Sequence, residues 1–156
     1  GIDFRSIRFP GVISNYSIPS GGTTDYAPQM IHAAVNKKQY TCKLAEETLL
    51  PFISISKTVS SIKQLMSMDN INSTLRVFNI QEASFSVGDL HNVLQSKLNG
   101  FKMIYKIDNK FQSVADSWPS SLNCDEAKEK WNFSSSNDFE KFISNIINEK
   151  WINEKN

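Results

Sequence analysis

Apolar residues alternate at Ile2 and Phe4 and, after a one-residue shift, at Ile7 and Phe9, until Pro10-Gly11 stops the run. Alternation marks a half-buried strand, and Pro-Gly marks the turn into a loop. Residues 14–24, rich in Ser, Pro and Gly, read as irregular. A helix is expected over 24–36, with Thr24 as N-cap and Tyr26, Met30, Ile31, Ala33 and Ala34 as its apolar face. Pro28 is tolerable there because it lies in or near the first turn. Short strands are expected at 40–44, 52–55 and 75–80. Between the last two, Ser56 can cap a helix carrying Val59, Ile62, Leu65 and Met66.

Ser86-Val87-Gly88-Asp89 has the form of a capping box, with Asp in place of Glu, ahead of Leu90, Val93, Leu94 and Leu98. Gly100 is placed to end that helix. Phe101, Met103, Tyr105 and Ile107 then alternate as a half-buried strand should. A short helix over 125–131 precedes the clearest element, a helix with Phe139, Phe142, Ile143, Ile146, Ile147 and Trp151 on one face. The polar residues 148–156 are expected to fray. There is no internal repeat, and alternating strands and helices place the chain in the α/β or α+β class. Several strands lack a partner close in sequence, which makes an awkward set for a free-standing fold.

The chain has 156 residues, enough for one ordinary domain, with 40% hydrophobic and 21% charged residues. Seventeen basic against 16 acidic residues leave a net charge of +1. That balance offers no electrostatic reason for a nucleic-acid or acidic-membrane partner. No apolar run reaches the roughly 18 residues of a membrane span. Cys42 and Cys124 make neither a disulfide framework nor a zinc signature, and suit the cytosol or an organelle matrix better than secretion. The strand pattern beginning at the second residue, with no leader or cap before it, points to sequence upstream of Gly1. Localisation is therefore not readable, with mitochondrial matrix and cytoplasm both open.

Two segments can carry chemistry. In Ser20-Gly21-Gly22-Thr23-Thr24-Asp25-Tyr26, paired glycines let a ligand approach, and the threonines offer hydroxyls and N–H groups at a helix start that favours an anion. The same residues also read as a plain turn with an N-cap. In Ala115-Asp116-Ser117-Trp118-Pro119 the Trp can wall a pocket or anchor packing, and Asp116 can meet an ammonium or cap a turn. His32 and His91 read as surface or interface residues, and Trp131 and Trp151 as core or docking contacts. No Ser–His–Asp, Cys–His or paired-carboxylate arrangement stands out.

Those segments, with Gly1-Ile2-Asp3-Phe4-Arg5, Arg8-Phe9-Pro10-Gly11-Val12-Ile13-Ser14, Leu75-Arg76 and Phe78-Asn79-Ile80, resemble the short-chain-type L-threonine 3-dehydrogenases. That family belongs to the extended short-chain dehydrogenase/reductases related to nucleotide-sugar epimerases. The resemblance runs from Gly1 to about Phe142. It implies an α/β fold, the C-terminal part of an NAD-binding Rossmann fold, with its last sheet strands and the small α+β substrate domain. Residues 1–14 would be the terminal Rossmann strand and nicotinamide-side loop. Residues 15–147 would be the substrate-binding portion interleaved with remaining Rossmann elements, and 148–156 a polar tail.

The implied reaction oxidises the 3-hydroxyl of L-threonine to 2-amino-3-ketobutyrate with NAD as cofactor, a Tyr-x-x-x-Lys pair taking the proton. Phe9, Pro10 and Ile13 are implied beside the nicotinamide, with Gly22, Thr23, Thr24 and Trp118 around the substrate. A homodimer is implied for the complete enzyme. Neither the Gly-rich dinucleotide fingerprint nor Tyr-x-x-x-Lys occurs here: Tyr40 is followed by Leu44 at the fourth place and Tyr105 by Asn109. With the catalytic groups upstream, the chain alone is expected to be inactive.

Two segments depart from the family. Ile53-Ser54-Ile55-Ser56-Lys57-Thr58 replaces Met-Tyr-Ile-Asp-Asp-Cys, and Lys130-Trp131-Asn132-Phe133 replaces Asp-Trp-Gly-Trp. Asn132 can still serve a turn at positive φ. The rival readings are a nucleotide-sugar epimerase/dehydratase relative and a non-catalytic remnant acting as a binding or dimerisation module.

Overall fold

The structure, a computed structural model, describes residues 2–17, 21–69, 76–136, 138–149 and 151. Among them the chain runs β1 (Ser6–Arg8), β2 (Gly11–Ile13), a 3-10 turn (Thr23–Asp25), α1 (Tyr26–Val35), β3 (Tyr40–Cys42) and β4 (Leu49–Ser54). It continues through α2 (Ile55–Met66), β5 (Val77–Asn79), β6 (Ala83–Ser86), α3 (Val87–Lys97) and β7 (Met103–Tyr105). Three helices follow: α4 (Asn109–Asp116), α5 (Asp125–Trp131) and α6 (Phe139–Asn148). Gly1, residues 18–20, Leu75, residue 150 and residues 152–156 of the segments considered above lie outside the described residues.

The strands form three small sheets. β1 pairs with β5 and β3 with β7, both in parallel, while β4 lies between parallel β2 and antiparallel β6. Parallel neighbours need long crossovers, and the intervening helices serve as such. The alternating pattern thus yields an α/β architecture. A larger core cluster joins α1, α3, α6 and the β4–β6 pair, and includes Met30, Phe52, Phe85, Leu90 and Ile143. A smaller one gathers Ile53, Leu65, Phe78, Ile80 and Trp131.

Local signals hold well. α1 buries Tyr26, Met30, Ile31, Ala33 and Ala34. The Ser86 and Asp89 capping box forms, with Asp89 N–H donating to Ser86 Oγ at 3.0 Å and Ser86 N–H to Asp89 Oδ2 at 2.9 Å. Asn132 takes the left-handed conformation at φ 57°, closing α5 as a glycine would.

Other expectations are corrected. Ile2 and Phe4 are 97% and 67% exposed, and β1 begins only at Ser6. After Pro10 the chain re-enters β structure as β2 in a different sheet, because Gly11 pairs opposite Phe52. The 24–36 helix starts at Tyr26, with a 3-10 turn in place of a Thr24 cap. The cap of α2 is Ser54, not Ser56: Ser54 Oγ accepts from Lys57 N–H at 3.2 Å.

α2 also buries Thr58 and Ser61 beside Leu65; of its expected apolar face only Leu65 is buried, and Val59, Ile62 and Met66 are exposed. α3 ends at Lys97, and Gly100 occupies φ 86° two residues beyond the cap. In β7 the alternation does not become half-burial, since Tyr105 and Ile107 are exposed with Ile104. Trp151, within the stretch expected to fray, is buried and donates Nε1–H to Ile146 O at 2.9 Å.

Candidate functional site

The β1–β2 corner brings Phe9, Pro10, Gly11 and Val12 to the rim of a cavity of about 320 Å³. Thr24, from the 3-10 turn, enters the same wall. The opposite side is Trp118, Pro119 and Leu122, from the segment after α4, with Pro51 of β4. The volume lies at the lower end of what small-molecule sites span, about 300–1,000 Å³.

Each wall has a local cause. Gly11 is required by close approach: a Cβ there would stand 2.7 Å from the Phe52 ring and 3.0 Å from Thr24 Cβ. Pro51 sits one residue before the β2–β4 ladder begins at Phe52, and its missing N–H leaves no unpaired donor there. Trp118 remains 43% exposed, so it is a wall and not a core anchor. Among the described residues of this wall, the only side-chain hydroxyl is that of Thr24, and none is titratable. These residues can hold and orient a small ligand, but they include no general acid or base.

The Trp118 turn is held from α4. Asp108 caps α4 by accepting from Lys110 and Phe111 N–H. Gln112 then accepts from Ala45 N–H at 2.8 Å and donates to Thr48 Oγ1 at 3.0 Å and Asp116 Oδ1 at 2.7 Å. Asp116 is thus joined to a neighbouring side chain, two residues before Trp118.

The residues singled out in the sequence divide among three places. Phe9, Pro10, Thr24 and Trp118 meet at the 320 Å³ cavity. Gly22 and Thr23 line a separate, smaller cavity of about 120 Å³. Ile13 is only 2% exposed and packs in the larger core beside Tyr26 and Phe52.

The Gly21-Gly22 turn does not present its amides to a ligand, because Asp25 Oδ2 accepts from Gly21 N–H at 2.8 Å and Gly22 N–H at 2.7 Å. That carboxylate takes the place of the anion expected at the helix start. A Gly-Gly pair followed by an acid at the third and fourth positions is the signal that could have revealed it. Pro51 and Leu122 carried no such signal, and neither did Gln112. Among the described residues no group of three His, Cys, Asp or Glu could hold a metal, and no helix is long and apolar enough to cross a membrane.

No family model matches the chain. It is 32% identical over 148 residues to the mitochondrial L-threonine 3-dehydrogenase of Bos taurus, covering 95% of this chain and 40% of that protein. It is 36% identical over 134 residues to an uncharacterized epimerase/dehydratase of Staphylococcus saprophyticus, covering 85% and 42%. Its structure superposes on the crystal structure of L-threonine dehydrogenase from Phytophthora infestans with a TM-score of 0.86 at 32% identity, covering 94% of this chain and 47% of that one. The chain therefore spans about two fifths of the curated relatives it matches. Over nearly its whole length the chain resembles the L-threonine 3-dehydrogenases and their epimerase/dehydratase relatives, and it has the α/β fold of the C-terminal part of these extended short-chain dehydrogenase/reductases.

Proposed function

We propose that this chain is the substrate-binding, C-terminal part of an NAD-dependent L-threonine 3-dehydrogenase. The observation that carries the reading is that Thr24 and Trp118, from two segments far apart in sequence, line one cavity with Phe9 and Pro10. In this reading Thr24 hydrogen-bonds the amino acid and Trp118 covers it. Gly22 and Thr23 belong to the substrate site through the turn they share with Thr24.

Residues 1–14 supply the terminal Rossmann strand and nicotinamide-side loop, residues 15–147 the substrate portion, and 148–156 the polar tail. In the complete enzyme NAD would supply the hydride acceptor for the 3-carbon of threonine, with Phe9 and Pro10 beside its nicotinamide. The apolar Phe9 and Pro10 would flank a flat aromatic ring and keep water from it, while Ile13 is buried in the larger core. The general base and its lysine come from outside this chain, in keeping with a cavity wall whose described residues include no titratable side chain. The complete enzyme is a homodimer in this reading.

The outward face of α2 supports a part that works against a larger α/β unit. Val59, Ile62 and Met66 are exposed, and so are Ile2 and Phe4. Arg5, which joins the two regions, donates Nη1–H to Leu65 O. An apolar stripe of this kind on a helix belongs against a partner surface.

The test is NADH production from L-threonine by this chain and by a chimaera carrying the first half of the bovine relative ahead of it. Turnover by the chimaera alone is the expected result. Turnover by the chain itself would overturn the placement of the catalytic groups. The similarity to the staphylococcal epimerase/dehydratase, at 36% identity, favours a second reading as a nucleotide-sugar enzyme. A chimaera that binds NAD and a UDP-sugar but ignores threonine would establish it.

A further inference from the structure

Strand β7 has an open edge. Its one partner strand among the described residues is β3, with Thr41 opposite Ile104. Tyr40 N–H donates to Lys102 O at 3.0 Å and Lys106 N–H to Cys42 O at 2.8 Å. Lys102 and Lys106, and Ile104 between them by alternation, therefore turn their backbone groups towards β3. Successive residues of a strand bond to opposite sides, so the N–H and C=O of Met103 and Tyr105 point outward. An edge of this kind is a template for another extended segment.

The side chains say what kind of segment fits. Lys102, Ile104 and Lys106 share one face through the two-residue period of a strand, and all three are exposed, Ile104 by 51%. Thr41, opposite Ile104, is exposed as well. Asp108, the next acid along the chain, is engaged in capping α4 through Lys110 and Phe111 N–H. Tyr105, on the other face, lies near Glu46 and Glu47, so an incoming acid is favoured on the lysine face only. A second copy of the chain fits badly. Antiparallel pairing of two β7 strands about Ile104 sets the lysine at one end against the lysine at the other. A strand with a carboxylate at each of those two places, and an apolar residue between them, fits well.

We propose that β7 is a docking edge for an acidic, extended segment of another protein, which adds as an antiparallel strand. The segment's residues opposite Met103 and Tyr105 exchange backbone hydrogen bonds with the edge, and its carboxylates opposite Lys102 and Lys106 pair with the two ammonium groups. No residue of 102–107 lines the 320 Å³ cavity, so this interaction is separate from the proposed threonine site.

The end-capped peptide Thr-Glu-Thr-Val-Thr-Glu-Thr, titrated into the full chain and followed by amide NMR, tests it. The expected result is saturable binding with shifts centred on Met103–Tyr105, at least tenfold tighter than for the same peptide with Lys in place of both Glu. Lys102→Glu combined with Lys106→Glu should reverse that preference. Both side chains are exposed, so the double variant keeps its fold. N-methylation of the two Thr that flank Val blocks their bonds to the edge and should weaken binding at least tenfold. A methylated peptide that binds as well as its parent overturns strand addition. No saturable binding, equal binding of the acidic and basic peptides, or an unreversed preference in the double variant means that the lysines only guard the edge, and overturns the docking site. The chimaera with the bovine first half should bind the peptide as the chain does. Loss of binding there would mean that the upstream half covers β7, and overturns an outside partner.

Discussion

Glu82 holds Ser54 from across the sheet, its Oε2 accepting from both the N–H and the hydroxyl of Ser54 at 2.7 Å each. Ser54 is the N-cap of α2, and Glu82 N–H donates to Phe52 O at 2.9 Å, so strand, cap and turn are tied together. Where the threonine dehydrogenases carry two acids at the start of this helix, the present chain has Ser56 and Lys57, and an acid reaches the cap from the neighbouring β5–β6 turn. Glu82→Ala should leave the Ser54 N–H without its acceptor and destabilise the fold by about 1–3 kcal/mol. Ser54→Ala should lose about 1 kcal/mol from the cap. Because the two share one network, urea denaturation of the double variant should show less than the sum; strict additivity would mean that the bond contributes nothing.

Gly11→Ala tests the corner that shapes the larger cavity. The added methyl would meet Phe52 Cε1 at 2.7 Å and Thr24 Cβ at 3.0 Å, and neither the core ring nor the turn can give way without moving the wall. Overpacking of this kind destabilises by about 1–3 kcal/mol. Thermal unfolding should show that loss, and L-threonine binding by the chimaera should weaken with it. A variant as stable as the parent would mean that Phe52 swings aside freely.

What the sequence made legible was chemistry that acts within a few residues. The Ser86–Asp89 box, the α1 face and the left-handed Asn132 each depend on local spacing, and each was found as expected. α2 shows the limit. Its helical period was readable, but the inward side is the one that carries Thr58, Ser61 and Leu65, with Thr58 Oγ1 donating to Ser54 O at 2.9 Å within the helix. That leaves Val59, Ile62 and Met66 exposed, against the apolar pattern. In the candidate site, Phe9, Pro10, Thr24 and Trp118 were legible because they fall in three distinctive segments. Pro51 and Leu122 were not, since only the β2–β4 register and the path after α4 bring them there.

Alkaline pH should unfold the protein before acid-stable contacts are touched. Burial raises the Cys42 and Cys124 thiols and the Tyr26 and Tyr40 phenols above their ordinary values. In the unfolded chain cysteines ionise near pH 8.5 and tyrosines near 10. Above about pH 9 the unfolded state therefore holds fewer protons than the folded one, and stability falls as pH rises. The urea midpoint should be flat from pH 7 to 8 and drop steadily between pH 9 and 11. Tyr26→Phe, with no phenol to ionise, should flatten that drop. A midpoint unchanged at pH 10.5 would contradict the burial of these groups.

Gln112 gives a sharper test of how the Trp118 turn is held. Its amide has a different task at each end: Oε1 accepts from Ala45 N–H, and Nε2 donates to Thr48 and to Asp116. Gln112→Glu keeps the acceptor for Ala45 but replaces the donor facing Asp116 with a carboxylate about as close as the present 2.7 Å contact. Two carboxylates at that distance cannot both ionise without strong repulsion. The variant should lose more thermal stability, relative to the parent, at pH 7 than at pH 4, where a proton can be shared between them. Gln112→Leu, which removes both roles, should lose about 1–3 kcal/mol with no such dependence on pH. Amide exchange at Ala45 separates the two cases, with protection kept in Gln112→Glu and lost in Gln112→Leu. Equal losses at pH 4 and pH 7 in Gln112→Glu would show that Asp116 turns away to solvent, and that the bond from α4 does not hold the Trp118 wall in place.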